Sequence, residues 1–165
     1  MLLKESVYSV RAFAPATSAN IAVGFDLLGF SMVGAGDEVT LVRREDDQVV
    51  IQPVAGFNLP EDPHKNTASC VIIELMRTLR LDSGFDVILN KGIPLCSGMG
   101  GSAASAVAAL TAFNEFLVEP LSLLELCEAA LYGEQVATGG RHGDNVVPCV
   151  FGGLTLLTDP DVLDV

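Results

Sequence analysis

The sequence predicts an α+β fold, and three observations carry that prediction. Residues 7–13, 27–33, 38–43 and 48–54 all read as strands, so the first third of the chain is rich in β structure. After them, helical spacing takes over: Val71, Ile72, Leu75, Met76 and Leu79 recur every three or four residues. Later helices then interleave with strands without a regular βαβ repeat, which indicates α+β instead of a doubly wound array. With 165 residues, half of them hydrophobic, the chain makes one domain with a real core.

The elements follow in order. The strand at 7–13 leads into Ala14-Pro15-Ala16-Thr17-Ser18-Ala19-Asn20, a run of small and polar residues expected to turn. A buried strand covers 27–33, and Gly34-Ala35-Gly36-Asp37 turns the chain again. Residues 38–43 and 48–54 form an expected hairpin around Arg44-Glu45-Asp46-Asp47. Pro60-Glu61-Asp62-Pro63 is a loop, and a helix spans 67–79. Phe85-Asp86-Val87-Ile88-Leu89 alternates as a half-buried strand does. An alanine-rich helix is expected over 102–116. Ser122 with Glu125 three positions on is a capping box that opens another helix, which Gly139-Gly140 stops. Arg141-His142-Gly143-Asp144-Asn145 is a polar loop, and 152–158 is a last strand.

Composition narrows the function. A net charge of −12 argues against a nucleic-acid surface. The apolar runs are short, so no membrane span is expected, and Lys4-Glu5 after Met1-Leu2-Leu3 speaks against a signal peptide. Cys70, Cys96, Cys127 and Cys149 have no metal-ligand spacing and read as reduced thiols of a cytoplasmic protein.

The richest stretch is Pro94-Leu95-Cys96-Ser97-Gly98-Met99-Gly100-Gly101-Ser102-Ala103-Ala104. It lies between a strand and a helix. Glycines admit close backbone approach, and the first N–H groups of a helix, aligned with its dipole, favour an anion. The stretch is therefore a candidate phosphate cradle. A side chain at Gly100 is expected to block the ligand and leave the fold intact. The P-loop motif fails, because no lysine precedes Ser102. The dinucleotide fingerprint is weakened by Ala103 at its third glycine position and stays open here. Three polar clusters complete the inventory: Thr17-Ser18-Ala19-Asn20 with Asp26, Ser102 with Glu134, and His142-Gly143-Asp144-Asn145. Taken singly, each reads first as something plainer: Asn20 and Asp26 as turn closers, His142 as a loop histidine, and Glu134 as an exposed helix carboxylate that can face the loop. Jointly they supply what phosphoryl transfer needs: oxygen ligands for Mg²⁺ and hydrogen-bonding groups that hold a hydroxyl in line.

The glycine stretch resembles the second signature of the GHMP kinases, the group that includes galactokinase, mevalonate kinase and the homoserine kinases. Two further stretches, residues 14–29 and 142–153, are similar to the homoserine kinases in particular, and so is Pro60-Glu61-Asp62-Pro63-His64-Lys65-Asn66. The resemblance implies the α+β fold of a GHMP N-terminal domain over residues 1–165, a left-handed βαβ with a mixed sheet covered by helices. It implies ATP on residues 94–104 and Mg²⁺ on Ser102 and Glu134. It implies L-homoserine, as the small-molecule substrate, at Asn20, Asp26, His142 and Asn145, with Asp26 suited to the ammonium. His142 and Asn145 then hold the attacking hydroxyl, and Asp144 stands where related kinases carry a catalytic aspartate. Two departures stand out. Gly101 replaces the first serine of the family's usual pair, and the chain is about half the family's usual length. The resemblance thus implies an absent C-terminal domain, and an open face that takes either that half or a second copy.

Overall fold

The computed structural model describes residues 3–22, 24–52, 56–159 and 163; Met1, Leu2, Val23, the 53–54 end of the expected fourth strand and the Val165 terminus lie outside them. Among the described residues, five strands and four helices follow in the order β1 (Ser9–Ala19), β2 (Leu28–Arg44), β3 (Val49–Ile51), α1 (Thr67–Leu79), β4 (Gly84–Asn90), α2 (Gly101–Asn114), α3 (Leu123–Thr138), α4 (Gly143–Phe151) and β5 (Leu154–Leu156). The strands make one mixed sheet in the order β1-β2-β4-β3, with β5 beside the start of β2.

Two expected turns are absent because β1 and β2 run through them. The Ala14-to-Asn20 run extends β1 to Ala19. Gly34-Ala35-Gly36 lies inside β2, where the register with β1 slips: Pro15 pairs with Gly36 but Thr17 with Ser31. The glycines mark a bulge and not a reversal, a role glycine also fills in strands. The expected hairpin is likewise corrected. β3 does not pair with β2; it lies parallel to β4, with Val49 opposite Phe85, and β4 separates it from β2. Helix α1 makes the crossover that a parallel pair requires. With β1-β2-β4 antiparallel, the sheet is not the parallel doubly wound sheet of a dinucleotide-binding domain.

One sheet face is packed by the helices. Val39, Leu41, Val87 and Leu89 occupy it in register and are buried. Phe85 stands edge-on to Phe113 and Phe116, with ring centroids 5.3 and 5.0 Å away. Helix α2 is buried almost all round, as its alanines permit; it contacts β1, β2, α1, α3 and α4. It is the central rod of the domain, and its N-terminus opens on the candidate site. The expected caps of α3 hold, with the reciprocal Ser122–Glu125 capping box and Gly139 as left-handed C-cap.

Candidate active site

A cavity of about 910 Å³ lies at the head of α2. Its wall includes Asn20 and Asp26 from the β1–β2 connection, Pro94 through Ser102, Glu134 of α3, and His142, Asp144 and Asn145 around the start of α4. Ala103 and Ala104 are the exceptions among the expected site residues; they are fully buried in the first turn of α2 and do not line it. Residues far apart in sequence thus meet because β1, α2, α3 and α4 all end at one side of the molecule.

The glycine loop is shaped by its backbone. Cys96, Gly98 and Gly100 all have positive φ, at 57°, 71° and 62°. Gly100 is the N-cap of α2 and makes no side-chain cap hydrogen bond, so the leading N–H groups of a 14-residue helix are left for another acceptor. A Cβ at Gly98 would meet nothing within 4 Å, whereas one at Gly100 would sit 2.0 Å from Thr17 Oγ1 and 2.9 Å from Asn145 Oδ1. The expectation for Gly100 is therefore corrected: a side chain there collides first with the protein itself.

The two ends of the cavity differ. At one, the Ser102 hydroxyl donates to Glu134 Oε1. Glu134 is only 4% exposed, which corrects the expectation of an exposed carboxylate; burial pushes its carboxyl above the usual range. At the other end, Thr17 Oγ1 donates to Asn145 Oδ1 at 2.8 Å, and Asn20 Nδ2 donates to Asp144 Oδ2 at 3.3 Å. The Asn20 Oδ1 in turn accepts the Asp26 backbone N–H at 3.0 Å. His142 is the exposed N-cap of α4.

A family model described as "GHMP kinases N terminal domain" matches residues 66–153, from the cap of α1 to the end of α4. The chain belongs to the GHMP kinases. It is 51% identical over 155 residues to a homoserine kinase of Xylella fastidiosa, covering 93% of this chain and 48% of that protein. A homoserine kinase of Xanthomonas campestris is 53% identical over 151 residues, with coverages of 90% and 47%. The crystal structure of homoserine kinase from Cytophaga hutchinsonii superposes with a TM-score of 0.91 at 40% identity, covering 99% of this chain and 53% of that one. The chain spans about half the length of these relatives. The GHMP fold itself extends further: Lactococcus lactis galactokinase superposes with a TM-score of 0.73 at 18% identity.

In this GHMP domain the structure adds a group that sequence reasoning passed over. Lys91, whose side chain is 3% exposed, pairs with fully buried Asp37 and donates to Gly101 O at 3.0 Å and Ser105 Oγ at 3.2 Å. Asp37 also accepts from Ser105 and from the N–H groups of Gly92 and Ile93. This network ties β2 and the end of β4 to the first turn of α2, directly behind the glycine loop. A charged pair flanking apolar strands was the available signal. It also bears on the departure at Gly101, whose Cβ would lie 3.3 Å from both Lys91 Nζ and the Ile93 side chain.

The oxygen donors fit a hard divalent cation. Among the described residues no three His, Cys, Asp or Glu side chains converge to hold a metal by themselves. Ser102 and Glu134 offer two oxygens side by side, the partial set that Mg²⁺ takes when phosphate oxygens complete its shell. Among the described residues no helix is long and apolar enough to cross a membrane.

Proposed function

We propose that this chain supplies the nucleotide site and half of the substrate site of an enzyme that transfers the γ-phosphoryl group of ATP to the hydroxyl of L-homoserine, giving O-phospho-L-homoserine and ADP. One observation carries the reading. The uncapped start of α2 lies in one cavity with the Ser102–Glu134 oxygen pair and with the Asn20, Asp26, His142 and Asn145 cluster. The relatives named homoserine kinase support the choice of substrate.

The chain is acidic, so backbone N–H groups of the glycine loop and of the uncapped start of α2 must hold most of the triphosphate. Of the two lysines on the cavity wall, Lys91 has three acceptors around its ammonium and Lys65 lies 3.5 Å from Asp62. Ser102 and Glu134 hold Mg²⁺, which when bound neutralises charge on the β- and γ-phosphates. Asp26, exposed at the rim, receives the ammonium. Thr17 occupies the Asn145 carbonyl, which leaves the donor end of that amide for the substrate hydroxyl, and His142 lines the same cavity. Holding the hydroxyl in line suffices for a loose transition state.

The test is Mg²⁺-dependent formation of O-phospho-L-homoserine by the full-length protein, followed by mass and by ADP release. Glu134→Gln should lower kcat by about a hundredfold or more, as loss of preorganised charge stabilisation does. Its melting temperature should be unchanged or raised, because a buried carboxylate gives way to a neutral isostere. Turnover of mevalonate or galactose in place of homoserine would overturn the substrate.

A further inference from the structure

Asp144 stands beside the substrate cluster and invites the role of general base; we propose instead that it is a positioning residue, locking the Asn20 amide and through it the loop that carries Asp26. Its kinetic consequences rest on the reading above, whereas its structural basis does not.

The connection from Asn20 to Asp26 holds an unusual backbone. Asn20, Ile21, Ala22 and Asp26 all have positive φ, at 67°, 35°, 60° and 56°. Side chains other than glycine's rarely settle there unless surrounding contacts over-determine the conformation. One contact is the Asn20 side chain. Its carbonyl takes the Asp26 N–H at 3.0 Å, and its NH₂ is held by Asp144 Oδ2 at 3.3 Å. An amide has one acceptor end and one donor end, so an acceptor at Asp144 decides which way Asn20 faces. Asp144 sits in the first turn of α4 and is 2% exposed, so the anchor belongs to the core and not to the loop.

The same geometry disfavours proton abstraction. Oδ2 is engaged by Asn20, and Oδ1 is buried without a hydrogen-bond partner, closed to a molecule the size of water. A base must come within hydrogen-bond reach of the proton it takes. Burial, and then the nearby Asp26 carboxylate, push the Asp144 carboxyl above its usual range. A base would show that shift too, so the contacts decide between the two roles.

Conservative and truncating variants of the full-length protein separate them. Asp144→Asn keeps an oxygen for Asn20; it should hold kcat within about threefold and preserve the hydrogen-exchange protection of the Asp26 amide. Asp144→Ala should speed exchange at that amide by about tenfold and raise KM for L-homoserine about tenfold, with KM for ATP unchanged. Asn20→Asp keeps an oxygen for the Asp26 N–H but removes the NH₂ that Asp144 holds, so it breaks the same link from the other side and should speed the same exchange, even where Asp144→Ala fails to fold. A kcat loss of about a thousandfold in Asp144→Asn at unchanged KM is the signature of a base and overturns the proposal. Unchanged exchange at Asp26 in Asp144→Ala or Asn20→Asp overturns it equally. Exchange needs no turnover, so a wild-type protein inert toward homoserine would sink the substrate reading and leave this result standing.

Discussion

Two glycines, two positions apart, have opposite surroundings. Gly98 faces open space at φ 71°, while Gly100 is wedged against Thr17 and Asn145 at φ 62°. Gly98→Ala should therefore cost only the left-handed backbone penalty, about 1–2 kcal/mol. Its new methyl would project into the ligand's space and weaken ATP binding about tenfold, a loss of about 1.4 kcal/mol by calorimetry. Gly100→Ala should lower the melting temperature more than Gly98→Ala does, since its clash is with the protein. Equal ATP affinity in wild type and Gly98→Ala would remove the phosphate cradle. Cys96 gives a second handle on the same loop. It is exposed, whereas burial raises the thiol of Cys70 to about 11 and those of Cys127 and Cys149 to about 12. At pH 8 those three carry almost no thiolate, the reactive form. Of these four cysteines, iodoacetamide should modify Cys96 alone, and ATP with Mg²⁺ should protect it. Labelling of Cys70, Cys127 or Cys149 in the folded protein, or no protection of Cys96, would contradict this picture.

Among the elements, α3 was legible from its ends and α4 was not. Ser122 and Glu125 announce α3 in sequence, and both reciprocal hydrogen bonds form, at 3.3 Å to the Glu125 N–H and 2.8 Å to the Ser122 N–H. Ser122→Ala should cost about 1 kcal/mol, seen in denaturant unfolding as a shifted midpoint at constant slope. No change would mean that tertiary packing alone holds the helix end. Helix α4 begins where a polar loop was expected and contains Gly143 and Pro148, both poor helix formers. It forms because Val146, Val147, Pro148 and Cys149 are buried against β1, β2, α2 and α3. Packing overrides propensity here, and the result matters: α4 carries Asp144 and Asn145 to the head of α2.

At the scale of the molecule, the chain reaches about half the length of its relatives and shows apolar side chains on the sheet. Leu154 and Leu156 of the edge strand β5 are 70% and 54% exposed, and Val33 is fully exposed. Surfaces of this kind mark contacts with further protein. We propose that the other half of the relatives' length covers part of this surface and completes the substrate site. Residues 1–165 produced alone should bind ATP weakly and form no phosphohomoserine. Turnover should arise when the C-terminal half of the Xylella relative is added. Robust turnover by residues 1–165 alone would refute the division of labour.

What the sequence determined by itself was local: the capping box, the helical spacing of α1, the small residues of α2 and the glycine stretch, because each is written in neighbours within a few positions. The ordered motifs also carried the family, since a run of matching stretches survives without knowing how they meet. Strand partnership was decided only by the tertiary structure. Residues 38–43 and 48–54 look like a hairpin from their turn, yet β4 lies between β2 and β3, because its apolar side completes the face that packs α2 and no short-range signal encodes that contact. The burial of Glu134 and the enclosure of Asp144 were equally out of reach. A carboxylate's environment is made by segments distant in the chain, and here Ser102 and Asn20 reach those residues across 32 and 124 positions.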